Sequence, residues 1–186
     1  MNEMDLKRDG HFRDRPTVYI ETKAKPSQYP KTCMGVATYS FRKSDGHHTG
    51  YLYGFGRTDD TFRALILDRI IDKFGLPLNV HCRGLHNPIS QAAASTTGLS
   101  ARGKPYHNYE VLKRLGEAMT AGDLHVFLSH SEQNDMVNEQ LEAFLSAREL
   151  FLECEKHVKQ YDKDLNLDAE YKIIKSSFDL PKADDV

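Results

Sequence analysis

The sequence predicts an α/β protein with a mixed five-stranded sheet, three antiparallel strands followed by parallel ones, flanked by helices. Three observations carry this. TVYIETK (Thr17–Lys23) and CMGVATYSFR (Cys33–Arg42) are rich in β-branched and aromatic residues, and the turn Ser44-Asp45-Gly46 returns the chain as HHTGYLYGFG, His47–Gly56, in a hairpin. LNVHC (Leu78–Cys82) leaves a helical stretch directly, so it reads as a crossover strand parallel to the first. Leu124, Val126 and Leu128 alternate with His125, Phe127 and Ser129 in a last strand, and a polar loop leads from there into a long amphipathic helix.

In chain order, residues 1–16 form a polar lead-in, 17–158 the folded domain and 159–186 a charged C-terminal extension whose apolar patch, Tyr171 to Ile174, carries no chemical motif. Thr58 suits an N-cap, with Asp59 and Asp60 in the first turn favouring the positive end of a helix to Phe74. Its predicted buried face is Phe62, Leu65, Ile66, Ile70, Ile71 and Phe74, and Gly75 and Pro77 end it. Gly84 to His107 is irregular, with one short helix near Ile89–Ala94 and an exposed loop, Ser95–Lys104, bearing Arg102 and Lys104. Asn108 is the expected cap of a helix reaching Ala121, with Val111, Leu112, Leu115 and Met119 inward and Gly122 as its stop. In the last helix Val137, Leu141, Phe144, Leu145, Phe151 and Leu152 are expected inward, and Glu139, Gln140, Glu142 and Arg148 elsewhere.

At 186 residues, 39% hydrophobic and 28% charged, the chain can bury a core without staples, and its composition opposes disorder and membrane residence. The charged N-terminus lacks an apolar signal-peptide core, which sets a cytoplasmic expectation. Cys33, Cys82 and Cys154 are far apart in apolar surroundings and read as buried thiols. His81, His86 and His107 match no common zinc spacing. A net charge of −2 requires a local basic patch for any nucleic-acid binding.

Two segments give these elements a family likeness. KPYHNYEVLKRLGEAM followed by LHVFLSHSEQNDMVNEQLEAFLSA resembles the capped helix, last strand, histidine loop and final helix of the type I ribonucleases H, with His130 at the loop histidine and Asn138-Glu139 at an Asn-Glu pair. GYLYGFGRTDDTFRAL is similar to that family's third strand entering a Thr-Asn-Asn helix start. The resemblance implies a ribonuclease H-like fold. It also implies two-metal phosphodiester hydrolysis, in which acidic residues hold two Mg²⁺ ions.

The acid positions depart from that pattern. Glu21 is the one acid available in the first strand, Phe62 or Arg63 stands at the helix position, His81-Cys82-Arg83-Gly84 ends the fourth strand without an acid, and Glu142 stands in the final helix. Guanidinium cannot ligate Mg²⁺ and repels it. Glu21, Glu142 and His130 are therefore vestigial catalytic positions, and Arg63 and Arg83 are expected to pair with Glu21 and Glu142 in place of metal; the alternative is that the two arginines face outward and hold a phosphate. Lys23, Lys25, Arg102, Lys104 and Asn108 are candidate nucleic-acid contacts, with Lys31 and the aromatic Tyr29 and Tyr106 beside them. The expected function is a catalytically impaired binding or scaffold subunit for RNA, DNA or RNA/DNA hybrid, without a cofactor. Two alternatives remain open. One is an active Mg²⁺-dependent ribonuclease H using Glu21, Asp60 and Glu142; the other is a protein-interaction module within an assembly.

Overall fold

The hairpin turned at Gly46, whose φ is 135°, lies at the centre of the architecture. The computed structural model describes residues 15–95, 97–105, 108–159 and 171–179, and of His86, Asn87, Ala93 and Asp179 the backbone alone. β1 (Thr17–Pro26), β2 (Cys33–Lys43) and β3 (Gly46–Gly56) form the antiparallel meander, with Glu21 opposite Thr38 and Thr38 opposite Tyr51. β4 (Leu78–His81) lies parallel to β1, and β5 (Leu124–Phe127) parallel to β4.

The sheet has six strands rather than the expected five, in the order β5-β4-β1-β2-β3-β6. The addition is β6 (Tyr171–Ser176), which contains the apolar patch and pairs antiparallel with β3. It covers backbone N–H and C=O groups of β3 that would otherwise line an open edge. The register shifts between Tyr53 and Gly54, and a side chain at Gly54 would collide with the Lys172 carbonyl, so the missing Cβ admits the new strand.

Alternation along the strands makes two cores. On one face Val18, Ile20, Tyr39, Phe41 and Leu52 meet Phe62, Ile66 and Ile70 of α1 (Asp59–Phe74), together with α2 (His86–Ala94) and α3 (Tyr109–Thr120). Thr58 is extended ahead of α1, and its N–H donates to Thr61 Oγ1 at 3.3 Å. Asn108 stands at the N-cap of α3 as predicted, but in the left-handed region, φ 55°, with its side chain buried and making no cap hydrogen bond. On the other face Met34, Val36, Tyr53 and Phe55 meet Phe151, Cys154 and Val158 of α4 (Asn138–Val158).

α4 is turned from the predicted orientation. Gln140, Ala143, Ala147, Phe151, Cys154 and Val158 face the sheet, whereas Leu145 and Leu152 are 46% and 60% exposed. The two alanines allow close approach, and Thr38 Oγ1 donates to the Ala143 carbonyl at 2.6 Å. The rotation amounts to about one residue, roughly 100°. All three cysteines are free thiols, Cys82 and Cys154 buried and Cys33 half-buried. Among the described residues no helix is long and apolar enough to cross a membrane.

Candidate functional site

β1 turns Glu21 toward α4, where it is 4% exposed. Gln140 Nε2 donates to Glu21 Oε1 at 2.9 Å and to the His130 carbonyl at 2.8 Å. Arg83, just past β4, places Nη2 3.6 Å from the same Glu21 oxygen and donates to the His130 carbonyl at 3.1 Å. β1, the turn after β4, the loop after β5 and the start of α4 are thereby tied together around one carboxylate and one backbone oxygen. Burial raises the Glu21 carboxyl above the ordinary carboxylate range, against the Gln140 hydrogen bond and the charges of Arg83 and Arg63, which pull it down.

Arg63 touches other acids than those expected. Its Nη1 is 3.0 Å from Asp59 Oδ2 and 2.9 Å from Asp60 Oδ1, the spacings of neighbours on one helix face. Burial opposes the Arg63 charge, but Asp59 and Asp60 raise its pKa on balance. Burial likewise raises the Asp60 carboxyl, with Arg63 holding it back. Arg63 thus acts on Glu21 through its field, and only Arg83 forms the expected ion pair with it.

Glu142 lies apart from this centre. Its side chain is 45% exposed and stands 3.2 Å from His47 Nε2 at the start of the hairpin's return strand. Gln140 takes the place in the site that the resemblance implied for Glu142. The signal that marks it is the run Gln140, Ala143, Ala147, Phe151, Cys154, Val158, whose two small residues identify the side that packs closest. His130 keeps its side chain in solvent and contributes its carbonyl.

A pair of Mg²⁺ ions requires several convergent carboxylates. Here Glu21 is met by a guanidinium and an amide, Asp59 and Asp60 are both engaged by Arg63, and Glu142 is elsewhere. Among the described residues no group of three or more His, Cys, Asp or Glu could hold a metal ion. The side chains present do not fit the two-metal arrangement.

The candidate nucleic-acid contacts divide into separate groups. Lys23 and Lys25 extend over the Phe151 ring, at 4.9 and 5.6 Å, and Lys25 pairs with Glu155. Lys25 also lines an open pocket of about 570 Å³ with Tyr29, Lys31, Arg57 and Thr58. Asn108 and Thr58 line a smaller cavity of about 170 Å³ with Asp60 and Gln91. Arg102 and Lys104 project from the exposed loop before α3, outside both linings. Tyr106, His107 and the His86 side chain lie outside the described residues.

No family model matches the chain, and no curated protein matches it. Solved structures do. The solution structure of the PFV RNase H domain aligns with a TM-score of 0.52 at 12% identity, over 77% of this chain and 95% of that one. RNase H1 from the halophilic archaeon Halobacterium salinarum NRC-1 aligns with a TM-score of 0.43 at 9% identity, over 75% of this chain and 98% of that one. With the meander, the parallel pair and helices on both faces, the chain has a ribonuclease H-like fold.

Proposed function

We propose that this chain is a nucleic-acid-associated binding or scaffold protein, a ribonuclease H-like domain without two-metal hydrolysis. The observation that carries the reading is the environment of Glu21, the buried acid of β1. Arg83 and Gln140 already occupy its surroundings, so the local charge is balanced by protein rather than by a cation. The fold likeness supports a nucleic-acid ligand, as do the cations that line the pocket beside Tyr29. RNA, DNA and RNA/DNA hybrid are the ligands to compare, and the cytoplasm is the compartment this reading takes.

Fluorescence anisotropy with labelled hybrid, duplex DNA, duplex RNA and single strands, all in EDTA, tests binding across a salt series. Affinity that persists in EDTA and falls with salt is the expected result. Absence of affinity for every one of these ligands at low salt would leave the protein-interaction alternative and refute this reading.

A further inference from the structure

The apolar positions that α4 leaves in solvent form a pattern that matches itself. Leu145 and Leu152 are exposed, with Arg148 and Glu149 exposed between them and Lys156 exposed one turn beyond. At 3.6 residues per turn these positions share one flank, turned away from the side that Ala143, Ala147 and Phe151 press on the sheet. Lone exposed leucines are ordinary, but here two stand about 10 Å apart on either side of an opposite-charge pair.

We propose that this flank is the interface of a homodimer, α4 packing antiparallel on α4 of a second copy about a two-fold axis between Arg148 and Glu149. The commitment to a second copy comes from charge complementarity. Leu145 and Leu152 are equidistant from that axis, so the operation sets each Leu145 against the partner's Leu152. It also sets Arg148 against the partner's Glu149, and the reciprocal pair forms with it. Glu142 comes within reach of the partner's Lys156 on the rim. Every contact occurs twice, as an isologous interface requires. A parallel arrangement would place Arg148 against the partner's Arg148 and Glu149 against the partner's Glu149, with like charges opposed. One helix pair covers less than the roughly 800 Å² per subunit of a standard interface, so the dimer is weak and depends on concentration.

Sedimentation equilibrium of the full chain over a wide concentration series tests this directly, with far-UV circular dichroism as the folding control. The wild type is expected to follow a monomer–dimer equilibrium. Leu152→Glu abolishes the dimer, and Arg148→Glu or Glu149→Arg weakens it at least about tenfold, because symmetry counts each change twice. The double variant Arg148→Glu/Glu149→Arg regains dimerisation, which a merely apolar contact would not do. A wild type that remains monomeric at the highest concentration overturns the proposal. So does a dimer insensitive to Leu152→Glu, or a charge swap that fails to rescue.

Discussion

Gln140 Nε2 bonds to both Glu21 Oε1 and the His130 carbonyl, at 2.9 and 2.8 Å, and so joins α4 to β1 and to the loop after β5. Arg83 reaches the same two oxygens from the turn after β4. A carboxylate held by an amide and a guanidinium has little remaining affinity for a divalent cation, and removal of either partner leaves a buried group short of contacts.

Gln140→Ala is therefore expected to reduce stability by about 2 kcal/mol, roughly 4–8 °C in Tm. Urea melts measure it. A loss under about 0.5 kcal/mol, the range of an ordinary surface substitution, would show that the bonds to Glu21 and His130 are dispensable.

Glu21→Gln is predicted to change sign with pH. Burial, the largest influence, holds the folded Glu21 carboxyl above its ordinary value of 4.5, so the folded state binds this proton more tightly than the unfolded chain. The stability this group contributes is full below the ordinary value and is lost as pH rises through the folded pKa. The variant should gain on the wild type as pH rises above the ordinary carboxylate value of 4.5, with Arg83 remaining solvated at its partly exposed position. A disadvantage of the variant that grows with pH would mean that the ion pair outweighs desolvation.

Arg63→Ala leaves Asp59 and Asp60 without their shared cation at the start of α1, Asp60 in a partly buried position. A loss of about 1–2 kcal/mol is expected in thermal or urea melts. An unchanged Tm would contradict the pairing.

Lys31→Glu and Lys104→Glu probe the two separate groups of cations. If both groups meet a nucleic-acid backbone, each substitution weakens binding and lowers the steepness of its salt dependence by about one unit. An effect of Lys31 alone would assign the contact to the pocket beside Tyr29, and an effect of neither would remove both from the interface.

Gly54→Ala should displace β6 from the sheet, because the new methyl group meets the Lys172 carbonyl. The expected loss is at least about 2 kcal/mol, with hydrogen exchange of the Tyr171–Ser176 amides rising in step. Protection unchanged in those amides would show that the strand finds another register.

Strand alternation, the Ser44-Asp45-Gly46 turn and the crossover from Gly75 to Leu78 were enough to read five strands and their directions from the sequence. β6 escaped because YKII is short and because its partner edge depends on Gly54, whose significance appears only when two strands meet. The α4 face departs from the hydrophobic pattern for a related reason. Hydrophobic size favoured Leu145 and Leu152, whereas a helix lying close on a sheet selects small residues, here Ala143 and Ala147.

The rotation of α4 bears on the site as well. Glu21 and Arg83 stand at positions that the ribonuclease H resemblance implies, and the structure brings them within 3.6 Å of each other. Gln140, not Glu142, reaches Glu21, and Arg63 pairs with two nearer acids on its own helix. Long-range pairing follows the distance of closest approach, which a one-dimensional pattern does not contain.

Incubation of the purified chain with an RNA/DNA hybrid and Mg²⁺ or Mn²⁺ decides whether the Glu21 centre hydrolyses a phosphodiester. With Arg83 and Gln140 closing the surroundings of Glu21, the hybrid is predicted to remain intact. Cleavage that requires the metal and disappears in Glu21→Gln would contradict the account.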